Sequence, residues 1–511
     1  MASAWYPLLL AGFPILGLYA VNYQEVSGTD VASVLATCFA TTAVVLLLFR
    51  FVYGCFDRAA IGASWCILLI FSYGPVYSLN NILAAANASF FLRDRWLLPI
   101  YNILLLLGLW ILFRWRFETR GTTRILRTFA VVTFAVSLLL LLRAALETPK
   151  TPRHGTIAAV SAVNPKGEAL KRDIYYLVFD RYADNATLRR EFQFDNADFT
   201  HALRERGFHL AEQSYANYPK TEISMASALN MNYHGDTIAQ LPHYRDLLEQ
   251  HQVGRVFTAM GYRYYHLGCP LDGLRDNPQA ASNYRFSRMP TEFAEMLFRM
   301  TSFYPYFPST DVRTQSIQKF DALPQIAAQR GVPKFVYAHF LLPHNPWKFN
   351  RDGSLVTPAV AASRTEAENY IHQLVYTNTR VLETIDNILA RSETPPVIIL
   401  QADEGPELRY EGDQTKPEIT KIRKRVGILS AFYLPGRQSD EPLPAGIGPV
   451  NTFRLVLQQY YDPQMTLLPE KSFYWDPATS LGKPVWSRTS RFIDVTARIQ
   501  RSENTTRIAT K

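Results

Sequence analysis

Five long apolar runs stand within the first 145 residues, at about 4–22, 31–52, 60–79, 96–113 and 125–142. Each is near the roughly 20 residues that cross a bilayer as a helix, and none carries Lys or Arg away from its ends. Five soluble helices in succession would each need a polar face, and these runs have none. A bundle of about five transmembrane helices over residues 1–145 is therefore expected. The first run could serve instead as a signal peptide, but it lacks a basic leader and a convincing cleavage site.

Loop charge sets the orientation. The first connection, residues 22–30, holds Glu25 and Asp30 and no basic residue, whereas the connection between runs four and five holds Arg114, Arg116, Arg120, Arg124 and Arg127. Basic loops stay cytoplasmic, so the N-terminus is placed inside and the fifth span exits. Arg93 and Arg95 lie on the other side and are outnumbered. Everything after about residue 145 is expected to be extracytoplasmic. Of four cysteines, only Cys269 falls in that region. No disulfide can form within it, and its stability must come from its own core, for which about 360 residues suffice.

Residues 146–172 are polar and proline-containing and read as a linker, leaving 173–500 as the catalytic domain. Asp173 to Asp180 (DIYYLVFD) is an almost continuous apolar strand ending in an acid, the pattern of a strand buried on both faces of a parallel α/β sheet. Lys334 onward (KFVYAHFLLPHNPW) is a second such strand running into a His-Asn-Pro turn, and Pro395 to Gly405 (PPVIILQADEG) a third, ending in two acids. Val426–Leu434 reads as a fourth. Helices are expected at Phe199–Phe208, Gln250–Met260, Glu366–Arg391 and Val450–Tyr461. Residues 270–330, with an amphipathic stretch near 292–300, read as an insertion shaping a substrate cleft. The tail from Ser502 reads as loose.

Between the first strand and the rest lies Tyr218-Pro219-Lys220-Thr221-Glu222, a turn entering a helix whose small residues Ser224, Ala226, Ser227 and Ala228 allow close packing. Thr221 is expected at the N-cap, where free backbone N–H groups and the helix dipole suit a phosphate. Ligands in α/β sheets sit beyond the strands' carboxyl ends. Asp180, Asp403 and Glu404 at such ends, facing Thr221, fit a divalent cation held by oxygens, which would lower the hydroxyl's pKa and shield a phosphate. All-oxygen ligation favours Mn or Mg over Zn. His344 is expected to donate to a phosphate oxygen or act as general acid, with Trp347, Lys220 and Arg181 as candidate substrate contacts. His339, inside its strand, reads as packed. The run Arg423-Lys424-Arg425 reads as a solvated face near anionic headgroups.

The ordered set strand-Asp180, Thr221-x-x-Ser224, Pro343-His344-x-Pro346 and strand-Asp403-Glu404-Gly405 resembles the alkaline phosphatase superfamily, in its sulfatase-like branch. Spans followed by an external domain resemble lipoteichoic acid synthases and phosphoethanolamine transferases. The resemblance covers most of residues 173–435. It implies an alkaline-phosphatase-like α/β/α sandwich, Thr221 as nucleophile, Asp180 and Asp403 as metal ligands and His344 as a substrate contact. It further implies a bacterial inner-membrane enzyme that moves a phospholipid headgroup of phosphoglycerol or phosphoethanolamine type. A phospho-threonine would carry the group to an envelope glycan or lipid acceptor, and no nucleic acid is involved. Threonine at 221 argues against a sulfatase proper, which needs an oxidisable Cys or Ser. Glu404 stands where the family has His, and Arg181 where it has a second acid, which favours one metal over two. A phosphodiesterase or phosphatase releasing the group to water, and a non-catalytic scaffold, are the competing readings.

Overall fold

Seven strands form one mixed sheet in the order β2-β7-β6-β1-β5-β3-β4. They are seen in a computed structural model that describes residues 4–23, 26–85, 94–114, 118–146, 171–234, 244–271, 273–286, 289–307, 311–407, 418–437, 442–444, 446–475 and 491–509. The strands are β1 (Ile174–Phe179), β2 (Phe208–Leu210), β3 (Arg263–Leu267), β4 (Ser282–Asn283), β5 (Lys334–Phe340), β6 (Val397–Ala402) and β7 (Ser430–Tyr433), with a separate hairpin β8 (Phe473–Trp475) and β9 (Phe492–Asp494). The helices are α1 (Tyr6–Val21), α2 (Gly28–Tyr53), α3 (Phe56–Ala85), α4 (Asp94–Arg114), α5 (Thr119–Leu146), α6 (Asn185–Phe192), α7 (Ala197–Glu205), α8 (Thr221–Asn230) and α9 (Tyr244–Glu249). They continue as α10 (Gln252–Ala259), α11 (Glu292–Arg299), α12 (Val312–Ala327), α13 (Pro358–Ala362), α14 (Glu366–Arg391), α15 (Glu418–Val426), α16 (Pro449–Tyr460) and α17 (Thr496–Ala509). Most of the 146–172 linker, together with Arg93 and Arg116, falls outside the described residues.

The chain divides into two units, residues 1–150 with 287–309, and residues 151–286 with 310–511. In the first, four of the expected spans become helices long and apolar enough to cross a membrane: α2, α3, α4 and α5. The fifth, α1, has 16 residues, about 24 Å of helix, short of a full bilayer core. It nonetheless packs at the centre of the unit, against α2, α3 and α5. The 287–309 segment packs here too: Phe293 and Leu297 of α11 bury against Ile15 and Val31. The stretch 270–330 is thus divided between the units.

In the second unit, β1 lies between β5 and β6, parallel to both, and β7 runs antiparallel to β6. All six residues of β1 and β6 and all seven of β5 are buried, as continuous apolar strands covered on both faces require. Tyr175, Leu177 and Phe179 pack under α7, α12 and α14. Ile174, Tyr176 and Val178, pointing the other way, pack under α8, α10 and α16. The result is an α/β/α sandwich. Helix α14 starts at a Thr365–Glu368 capping box and buries Tyr370, Leu374, Val381 and Ile385, as its period predicts. Several elements were not foreseen, among them α6, α12, α15 and the β8–β9 hairpin, and the tail past Ser502 continues α17.

Candidate metal and nucleophile centre

Register decides which side chains meet. Val178 of β1 pairs with His339 of β5 and Gln401 of β6. Side chains alternate along a strand, so Asp180 and Asp403, each two positions further on, share the face of Val178 and His339. Asp180, His339 and Asp403 each bring a ligand atom within 4.8 Å of the others, and all three are buried. His339, read from the sequence as packed, belongs to the group. Its signal was a polar side chain one residue before a buried strand's end, legible only once the register is known.

Four buried atoms here have no hydrogen-bond partner: Asp180 Oδ1, His339 Nε2, Asp403 Oδ2 and the nearby Glu404 Oε2. Orphaned buried polar atoms are costly, and a cation satisfies acids and an imidazole together. Burial pushes Asp403 up to about 8, with the charge of Asp180 adding to it. Burial likewise raises Asp180 to about 7, against the pull of Arg181. Burial and the neighbouring Lys319 hold His339 neutral, the form a metal requires. Its Nδ1 meets the Tyr337 hydroxyl at 2.9 Å, which orients the ring and leaves Nε2 for the site. The residues present fit a divalent metal. The donor set mixes nitrogen with oxygen, so the all-oxygen premise behind Mn or Mg over Zn no longer holds.

Thr221 is the first residue of α8, not its N-cap; that position is Lys220, whose side chain makes no capping bond. The Thr221 hydroxyl stands near enough to Asp403 to favour its ionised form, against the larger effect of burial, and so faces the acids. One turn on, Ser224 donates to the Asp403 carbonyl at 2.6 Å, tying α8 to the end of β6. Every residue of α8 except Glu222 is buried. The small residues thus do what their size predicts.

Glu404, also expected as a ligand, is held by arginines at one oxygen while its Oε2 has no hydrogen-bond partner. Its Oε1 is taken by Arg425 Nη2 at 2.7 Å and Arg181 Nε at 3.3 Å. It follows Asp403 directly and stands outside the Asp180–His339–Asp403 group. Arg425 also donates to the Gly405 and Pro219 carbonyls, both at 2.8 Å. It therefore staples the loop after Glu404 to the turn before Thr221. A side chain on Gly405 would place its Cβ 2.2 Å from the Lys424 carbonyl, so only glycine fits. Lys424 and Arg425 are both buried, which overturns the reading of 423–425 as a solvated face.

Arg181 adopts φ +62° and its backbone N–H donates to Asp403 Oδ1 at 3.2 Å. A non-glycine residue in that region marks a locally strained position, here one that turns an amide onto an acid. Lys220 Nζ lies 3.5 Å from Glu222. His344 Nδ1 donates to the Asn345 carbonyl, and Gln373 of α14 holds the turn through the His344 carbonyl at 2.6 Å. Burial and the cations Arg181 and Arg425 press His344 down to about 3. With Nδ1 committed to that carbonyl, the neutral imidazole leaves Nε2 as an acceptor in the free protein. Trp347 packs edge-on to Tyr370, ring centroids 6.5 Å apart, against the core.

An acid–imidazole pocket beneath a threonine at a helix start, on an α/β/α sandwich, is equipped for metal-assisted phosphoryl or sulfuryl chemistry. Residues 193–442 match the family model described as Sulfatase. The match contains Thr221, His339, His344, Asp403 and Arg425 and begins after Asp180. Similar solved structures include the C-terminal periplasmic domain of EcEptC from Escherichia coli, at 13% identity over 65% of this chain and 94% of that one, TM-score 0.44. The C-terminal periplasmic domain of phosphoethanolamine transferase EptC from Campylobacter jejuni matches at 12% identity over 58% and 96%, TM-score 0.37. A phosphonate monoester hydrolase of Agrobacterium radiobacter matches at 10% identity over 60% and 80%, TM-score 0.39. A search of curated protein sequences returned no match.

Proposed function

We propose that the protein is a membrane-bound, metal-dependent phosphotransferase that takes a headgroup from a phospholipid onto Thr221 and passes it to an envelope glycan or lipid. One observation carries this reading: three convergent, unsatisfied ligand atoms of Asp180, His339 and Asp403, with Thr221 at the start of a buried helix beside Asp403. Asp180, His339 and Asp403 would hold one divalent ion, which supplies charge neutralisation and a lowered hydroxyl pKa. Asp403 accepts the Thr221 proton and so orients the hydroxyl for in-line attack on phosphorus. The free N–H groups opening α8 face the oxygens of the arriving phosphate. The P–O bond to the diacylglycerol breaks, and its oxygen takes the proton that Thr221 gave to Asp403. His344 Nε2, an acceptor in the free protein, then receives the proton of the incoming hydroxyl as the P–O bond to Thr221 breaks, and that proton returns to the Thr221 oxygen. The named function of the EptC relatives agrees with the apolar helices in this chain.

The test is purified full-length protein with headgroup-labelled phospholipid and an oligosaccharide or lipid acceptor. A labelled adduct on Thr221, chased into the acceptor, is expected. Release only as free headgroup would make the protein a hydrolase, and no adduct on Thr221 would defeat the nucleophile.

A further inference from the structure

A hollow of about 380 Å³ in the first unit lies between α2, α3 and the 289–303 segment. Its α2 wall carries Ser33, Thr37 and Thr41, residues whose polarity would argue against a lipid. Each hydroxyl, however, is spent on its own helix, bonding the carbonyls of Asp30, Ser33 and Thr37 at 2.7, 2.9 and 2.9 Å. With Thr42 and Cys38 also in its lining, the hollow is still walled mainly by apolar side chains, among them Val34, Val45, Ile70 of α3 and Phe298.

The third wall is fixed. Beside Pro75, the Gly74 N–H donates to the Met300 carbonyl at 2.9 Å, and the Ile70 carbonyl accepts from Ser302 N–H at 3.0 Å. This approach needs glycine, since a Cβ on Gly74 would stand 2.6 Å from Met300 Cα. A segment far along the sequence is thus hydrogen-bonded, backbone to backbone, onto a helix of membrane-spanning length.

We propose that this hollow seats one acyl chain of a membrane phospholipid, the lipid whose headgroup the protein uses; the assignment rests on the function proposed above. From Ser33 to Val45 the α2 wall runs about 18 Å. One leaflet's share of the hydrocarbon core is about 15 Å. An apolar hollow keeps no water, and at this depth the surrounding solvent is acyl chain. Because lipid tails are as apolar as leucine, the groove selects by shape and depth rather than by hydrophobic drive.

The experiment uses the full chain in nanodiscs of phosphatidylethanolamine and phosphatidylglycerol. A fraction of the phosphatidylethanolamine carries a diazirine on one acyl chain, and crosslinked peptides are mapped by mass spectrometry. Crosslinks concentrated on 33–45, 63–71 and 289–303, above the exposed leucines of α4 and α5, are expected. Even labelling of all helices, or crosslinks to another polypeptide, overturns the proposal. Thr37→Trp, on an exposed position, should lower groove labelling about fourfold, the factor one methylene's packing corresponds to, while α4 labelling holds. Unchanged groove labelling in Thr37→Trp also overturns it. Groove labelling without headgroup release supports the seat and sinks the phosphotransferase reading. Headgroup transfer with even labelling does the reverse.

Discussion

Asp403 and Glu404 are neighbours in sequence, both buried carboxylates at the end of β6, and their surroundings differ in kind. Each keeps one oxygen without a hydrogen-bond partner, Asp403 Oδ2 and Glu404 Oε2, but Asp403 groups with Asp180 and His339 and its other oxygen accepts backbone N–H groups, whereas Glu404 Oε1 is gripped by two arginines. The first environment is incomplete and asks for a cation. The second has one oxygen answered by arginines and keeps the other, Oε2, open. Acidic character alone does not mark a ligand; what marks it is whether the protein has already answered the charge.

The comparison breaks most readily at the nucleophile. Thr221→Ala should cut turnover on the order of 10⁵-fold, as loss of a covalent nucleophile does, while metal binding survives. Headgroup release assays with metal analysis on the same sample check this. Asp403→Asn and His339→Ala should lower turnover roughly 10³-fold through lost charge stabilisation, together with metal content. Glu404→Gln should keep the metal, and loss of metal there would erase the distinction. Arg425→Ala should cost about 3–5 kcal/mol of stability, because it strands a buried carboxylate. Chemical denaturation measures that loss, and metal affinity should hold.

A smaller effect lies in pH. Burial raises Asp403 from 3.8 to about 8, so its protonated form is favoured in the fold. Between about pH 4 and 8 the unfolded chain ionises this group while the metal-free native state keeps its proton, so its contribution falls as pH rises. Without metal, the thermal stability of Asp403→Asn should therefore gain on wild type across that window. Metal affinity of the wild type should climb over the same range, since bound ligands must shed protons. Smallest of all, Trp347→Phe should leave activity within about twofold, since its ring packs against Tyr370.

The strands were legible because β1, β5 and β6 are buried and largely apolar, and their ends announced Asp180, the His344 turn and Asp403. His339 was not, because its membership depends on pairing between strands separated by more than 150 residues. Arg425 was hidden for a similar reason: in sequence it is one of three adjacent cations, and only the fold buries it against Glu404. The first unit misled in the other direction. The first apolar run promised a span, yet yields 16 residues of helix, and residues 287–309, set among catalytic-domain sequence, pack with the helices.

The pairing of Val178 with His339 makes this centre a frame-dependent device. One residue inserted early in β5 would present Ala338 where the imidazole stands and turn His339 to the opposite side of the sheet. Two inserted residues would restore the phase and offer Tyr337, a phenol in place of a nitrogen donor. Chemistry at this strand can therefore be exchanged only in steps of two, and single-residue slippage costs the ligand outright.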